Sequence, residues 1–273
     1  MRTGKPNQDS YRIIELPNAV IIAVADGHGS DSCPYSKNGS AMAVRVFCKT
    51  LSDLCSIYNN DLDALRSFLD HEGAKSISSE IEKEWKRRVA RSYIKISKRA
   101  AKSFPANGLK EKRESIWKQY GTTLMGLVLT PTFIFAYQLG DGNITISDNE
   151  KSKHVIIGDN LFGIETYSLS NIDAWRLSKA TTLALTDMKG DCSIMLSTDG
   201  FANSYSTDIL FLETILDYHR FVKEHGVDAV ESNLASWLNE TSRDGSGDDI
   251  TVVIVYFQSK QDSAFDKESQ CIV

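Results

Sequence analysis

The chain has 273 residues, a formal net charge of −5, 41% hydrophobic and 25% charged residues, an ordinary globular composition. Net acidity argues against a nucleic-acid ligand. No apolar run approaches the roughly 20 residues that span a bilayer, so neither nucleic acid nor membrane is an expected partner. The five cysteines, Cys33, Cys48, Cys55, Cys192 and Cys271, are odd in number and form no C-x-x-C pair, which points to reduced thiols rather than a disulfide framework or a zinc site. The first ten residues lack the apolar region of a secretory signal, and a cytoplasmic protein is expected.

In chain order, "SYRIIEL" predicts a strand, Pro17-Asn18 a turn, and "NAVIIAVA" (Asn18 to Ala25) a second strand. That second run is continuously apolar rather than alternating, the pattern of a strand buried on both faces. A polar loop from Asp31 to Asn38 precedes "GSAMAVRVFCKTLSDLC", whose apolar residues recur at helical spacing. Further helices are predicted at "DLDALRSFLDHEG" and over "SISSEIEKEWKRRVARSYIKISKRAA". The latter gathers Arg87, Arg88, Arg91, Lys95 and Lys98 on one face, expected to be solvated. "TTLMGLVLT" and "TFIFAYQLG", joined at Thr130-Pro131, read as a hairpin, and "NITIS" as the next strand. The stretch from Asp148 to about Lys189 is polar and reads as irregular. Beyond it lie a buried strand at "CSIMLST", helices at "TDILFLETILDYHRFVKEHG" and "VDAVESNLASWLNETS", and a last strand at "ITVVIVYF".

Residues 1–257 are expected to form a single domain and 258–273 a polar, flexible C-terminal tail. Strands and helices come in blocks, not in βαβα alternation. This favours an α+β fold with layers and mainly antiparallel sheets.

The chemistry lies at the strand ends. Asp26-Gly27, Asp141-Gly142 and Asp199-Gly200 abut apolar strands, Asp248-Asp249 precedes one, and Asn7-Gln8-Asp9 precedes the first. A single Asp-Gly is an ordinary turn. Several brought to one sheet edge would place carboxylates together with no cation in the motifs, and such a set cannot ionise fully without a counter-charge. A hard divalent cation with oxygen ligands, Mg²⁺ or Mn²⁺, resolves the conflict. "DGNITISDNE" lacks the sixth-position glycine of an EF-hand, and "DGSGDD" has no GK[ST] to make a phosphate loop.

The ordered set "NQD", "ADGHGS", "GTTL…YQLGDG", "LSTDGFANS" and "GSGDDITVVIV" resembles the metal-dependent protein serine/threonine phosphatases of the protein phosphatase 2C (PPM) type, its bacterial branch above all. The matches run in family order from about Asn7 to Tyr256. The resemblance implies a four-layer αββα sandwich with two central antiparallel sheets flanked by helices. It implies that Asp26 bridges two Mn²⁺ or Mg²⁺ ions, with the Gly27 carbonyl on one of them and Asp199 and Asp248 on the other. Asp9 would support the site through water, and Asp141, shared with Asp199, would take a third, weaker ion. Two ions sharing a water lower its pKa, and His28 is the candidate acid for the leaving oxygen, making Asp26 and His28 the expected catalytic pair.

The family's phosphate-holding arginine stands five residues before the aspartate of "NQD". Here Gly4 occupies that place, and Lys5 and Arg2 are the nearest cations, hence candidates for the substrate phosphate. The expected substrate and partner is a phosphorylated protein, with the enzyme opposing a Ser/Thr kinase. Two alternatives stay open: a weakly active or inactive module that binds phosphoproteins, and a metal-dependent hydrolase of small phosphoesters.

Overall fold

The structure is a computed structural model, described over residues 7–58, 61–99, 109–157, 166–188, 190–259 and 270–272. Two antiparallel five-stranded sheets face each other. The first has the order β1 (Ser10–Leu16), β2 (Ala19–Ala25), β3 (Leu124–Leu129), β4 (Phe133–Leu139), β7 (Lys179–Ala184). The second has the order β10 (Gln270–Ile272), β9 (Val252–Ser259), β8 (Gly190–Ser197), β5 (Asn143–Ser147), β6 (Ser152–His154). Helices α1 (Ser36–Tyr58), α2 (Leu62–Phe68), α3 (Ala74–Arg99) and α4 (Leu109–Lys118) belong to the side of the first sheet. The short α5 (Asp199–Ala202), α6 (Asp208–His225) and α7 (Val227–Asp244) belong to that of the second.

Three apolar layers hold these four structural layers together, and strand periodicity assigns each side chain to one of them. Along β2, Ile21, Ala23 and Ala25 pack toward Phe47 of α1 and Trp85 of α3. Ile22 and Val24, on the opposite face, meet Ile194 and Leu196 of β8 and Val253 and Val255 of β9 between the sheets. The outer face of the second sheet, with Met195, Val252 and Ile254, packs under Phe211 and Ile215 of α6 and Val230 and Leu234 of α7. β2 is therefore apolar throughout because both its faces are core. This is the expected αββα sandwich.

The structure departs from the sequence reading in several elements. α1 begins at Ser36, within the expected loop. The two helices expected from 61 to 101 are joined by one π-helical turn, Leu69–Gly73. β6 and β7 fall in the stretch read as irregular, and α4 was not anticipated. β9 runs to Ser259, two residues past the expected domain end, and Gln270–Ile272 pair with it where a loose tail was expected. Arg87 and Arg88 of the basic face both pair with Glu84. Among the described residues, no helix is long and apolar enough to cross a membrane.

Candidate metal and catalytic site

At one end of the sandwich, the strand ends open into a cleft of about 650 Å³. Asp26, Gly27 and His28 reach it from the end of β2, Asp141 from the β4–β5 turn, Asp199 from the end of β8, and Asp248 and Asp249 from the turn before β9. Both sheets thus contribute acids to one edge. No Lys or Arg stands among the described residues that line the cleft.

Asp9 lies behind the lining residues. Its carboxylate accepts from Thr198 Oγ1 at 3.1 Å, and that hydroxyl in turn accepts from the Thr251 amide at 2.9 Å. Burial pushes the Asp9 carboxyl up to about 6; hydrogen bonds with Thr251, Asp26 and Thr198 oppose the rise, and the nearby Asp249 adds to it. Asp26 is pushed up to about 10, by burial first and then by repulsion from Asp9 and Asp199. Asp199 is also raised, by burial and by Asp141, with the hydrogen bond to Asp26 working the other way.

Asp9, Asp26 and Asp199 thus form a hydrogen-bonded chain of acids, each held above the ordinary carboxylate range and Asp26 the most. No three His, Cys, Asp or Glu side chains among the described residues stand in ready-made ligand geometry; the acids turn to one another instead. The acids nonetheless fit a hard divalent cation: carboxylate oxygens, half-buried at Asp26 and Asp199 and open to the cleft at Asp141 and Asp248, mutually repelling, with no Lys or Arg among the described lining residues to neutralise them.

The scaffold fixes several of these groups. Asp26 is clamped to the two residues before β3: its amide donates to Thr123 Oγ1 at 3.0 Å, and its carbonyl accepts from Thr122 Oγ1 at 2.7 Å. His28 donates its amide to the Gly121 carbonyl at 3.2 Å, and its ring lies against Gly121, where a Cβ would sit 2.5 Å from His28 Cδ2. The imidazole is thereby held at the cleft wall. Lys5 and Arg2, the candidate phosphate ligands, lie outside the described residues.

Three contributors, Thr166, Asn203 and Ser246, carry no role in the sequence reading, and Asp249, read there beside Asp248, gains a partner in Gln8. The Thr166 hydroxyl donates to Asp141, and Asn203 Nδ2 donates to Asp199 at 2.9 Å. Ser246 Oγ accepts from the Asp248 amide at 3.2 Å, and Asp249 accepts from the Gln8 amide at 3.2 Å. Asp249 was visible beside Asp248, and Ser246 sits in the same "GSGDD" turn. Thr166 and Asn203 carry no local signal, since their partners are distant or depend on a helical turn.

The chain matches the family model described as Protein phosphatase 2C over residues 1–239. No curated protein matches it in sequence. Among solved structures it is similar to a bacterial serine phosphatase, with 13% identity, a TM-score of 0.57, and 95% of this chain and 94% of that one covered. It is similar to a serine/threonine phosphatase of S. agalactiae, with 16% identity, a TM-score of 0.55 and 92% and 93% covered. It is also similar to the catalytic domain of the serine/threonine protein phosphatase PstP, solved with two manganese ions, with 14% identity, a TM-score of 0.52 and 93% and 92% covered. At these identities the likeness is one of fold.

Proposed function

The chain belongs to the protein phosphatase 2C family, and on that premise we propose that it hydrolyses phosphoserine and phosphothreonine in proteins with the help of divalent metal ions. The observation that carries this reading is the convergence of Asp26, Asp141, Asp199 and Asp248 from two sheets into one cleft, with His28 on its wall.

In this reading Asp26, the Gly27 carbonyl, Asp199 and Asp248 hold two Mn²⁺ or Mg²⁺ ions, and Asp9 supports them from behind. Asp141 with Asp199 takes a third, weaker ion. Such ions supply Lewis acidity, which acidifies water and neutralises phosphate charge. The two manganese ions of the PstP structure support the number. A bound cation would favour the ionised form of these neighbouring acids, and the hydrogen bonds with Thr122 and Thr123 fix the Asp26 backbone that would present its carboxylate. His28 gives a proton to the leaving serine or threonine oxygen. Lys5 and Arg2 hold the substrate phosphate; Asn7 and Gln8, next in sequence, line the cleft. The catalytic domain, residues 1–257 with the end of β9 added, contains every lining residue. The phosphoprotein substrate implies a Ser/Thr kinase that makes it, in the cytoplasm.

The test is a manganese-dependent assay with a phosphothreonine peptide beside nucleotides and sugar phosphates. The peptide is expected to be the preferred substrate, with turnover lost on chelation. No turnover at any metal concentration would favour the binding module, and faster turnover of small phosphoesters would favour the small-molecule hydrolase. His28→Ala is expected to slow the peptide by about 10²-fold or more, in the range of general acid catalysis, and an activated aryl phosphate much less. Equal losses on both would remove His28 from the acid role.

A further inference from the structure

The acids occupy one part of the cleft. Another part of its wall is α7, which contributes Leu238, Asn239 and Ser242. Their i, i+1, i+4 spacing sets them on one face of the helix. Ile250, just before β9, adjoins them in the lining. Leu238 and Ile250 are half-buried and pack from their inner sides on the apolar cluster under α6 and α7. Ser242 Oγ donates to the Asp248 carbonyl at 2.6 Å, which fixes this helix face relative to the acids. The wall is therefore a rigid, partly apolar surface continuous with the reaction centre.

The volume of about 650 Å³ falls in the range that encloses a drug-sized ligand, more than one phosphorylated side chain fills. Beyond the proposed ions and their water it leaves room for residues beside the phosphorylated one, and there the lining sets Leu238 and Ile250 beside the Asn239 amide and Ser242.

We infer that the α7 wall is a specificity subsite: Leu238 and Ile250 receive an apolar side chain flanking the phosphoserine or phosphothreonine, and the Asn239 amide bonds the substrate backbone. This rests on the phosphatase reading above. An apolar side chain gains by leaving water against these two residues, whereas an acidic one there would face Asp248 and Asp249.

The experiment uses manganese-loaded full-length protein and phosphothreonine peptides that differ at one flanking position, leucine against glycine, scanned on both sides. The readout is the ratio of kcat/KM for the two, which cancels any loss of active enzyme. At one position the wild-type ratio is expected to be about tenfold, the low end of what a hydrophobic pocket discriminates. Leu238→Ala should bring it to within about twofold, and Leu238→Met, which keeps the apolar volume, should preserve it. Asn239→Ala should raise KM for both peptides without changing the ratio. A wild-type ratio near one at every position overturns the inference while leaving the phosphatase reading intact, as does a ratio that survives Leu238→Ala. If the wild type hydrolyses no phosphopeptide, the phosphatase reading fails and takes the inference with it.

Discussion

β2 and β8 end in the same dipeptide, Asp26-Gly27 and Asp199-Gly200, one from each sheet, and the two turns are held in different ways. After β2 the fixed part is the backbone, stapled to Thr122 and Thr123 just before β3, while the Asp26 carboxyl bonds to its fellow acids Asp9 and Asp199. After β8 the chain coils at once into α5. There the Asp199 carboxyl has an amide donor in Asn203, and the Gly200 carbonyl accepts from Ser204 and Ser246, each at 2.8 Å. Gly200 also admits the last acidic turn, because a Cβ there would lie 2.3 Å from the Asp249 carbonyl oxygen. One motif thus offers an acid aimed at other acids, and its twin an acid anchored by its own helix turn. On the proposed metal reading, Asp26 would depend on a cation more than Asp199.

The largest expected effect tests that dependence. Asp26→Ala is expected to abolish phosphopeptide hydrolysis and the tightest manganese binding, read by calorimetric titration, with helix content unchanged by circular dichroism. In metal-free protein at pH 8, Asp26→Asn should raise the unfolding midpoint, and Asp199→Asn should raise it less. Wild-type turnover in Asp26→Ala would refute the metal role, and a greater gain from Asp199→Asn would reverse the comparison.

The pH dependence of metal-free protein sharpens it further. Asp26 and Asp9 titrate at about 10 and about 6 in the fold against an ordinary 3.8. The folded chain therefore keeps protons that the unfolded chain has already lost. Their contribution is whole below about pH 4 and is lost as pH rises, through about 6 for Asp9 and about 10 for Asp26, at no more than about 1.4 kcal/mol per pH unit for each retained proton. Urea unfolding in chelator between about pH 5 and 9 should show this decline, and saturating Mn²⁺ should flatten it. Parallel profiles with and without metal would show that the acids are not what the cation binds.

Much of the fold was legible in the sequence because burial was written into it. β2, β3, β4 and β8 are core on both faces or nearly so, and their apolar runs say as much. The acids were legible because strand-Asp-Gly recurs. β7, "KATTLA", was not: it is a half-buried edge strand, so it carries no apolar run. α4, "LKEKRESIWK", has too few apolar residues to declare a face. Gly73 reads as a helix stop, yet the chain continues through it as a π turn, and the Phe68 ring lies where a Cβ would be, at 2.6 Å. Thr123 and Ser246, which hold the two dipeptides, lie within the motifs "GTTL" and "GSGDD", but their partners Asp26 and Gly200 lie across the fold, so a local pattern does not show what they hold.

Those two supports offer a smaller test. Thr123→Val removes the acceptor of the Asp26 amide, and manganese affinity should fall by roughly tenfold, the lower bound for losing a group that orients a ligand. Ser246→Ala leaves the Gly200 carbonyl its second serine, Ser204, and should cost only a few-fold. Equal losses would mean that the two turns are supported alike.

The smallest effect concerns the helical covers of the two sheets. α1 packs on the first sheet through Ala43, Phe47 and Leu51. α6 places a fully buried His219 against the second, with Nδ1 3.0 Å from Ser193 Oγ and no hydrogen-bond partner for Nε2 among the described residues. Burial holds His219 below its ordinary 6.5; Asp191 and Asp148 oppose this, while Lys223 and Arg220 reinforce it. A histidine that takes up its proton less readily when folded contributes stability that is whole above about pH 6.5 and lost as pH falls below it, by at most about 1.4 kcal/mol per unit. Corrected for intrinsic rates, amide exchange in α6 should therefore quicken relative to α1 between about pH 6.5 and 5, and His219→Phe should abolish the difference. The second sheet's cover would then loosen in acid, whereas the acids at the cleft floor strain the metal-free fold in base. Equal protection of α1 and α6 across that range in the wild type would show that the buried imidazole does not distinguish the two halves.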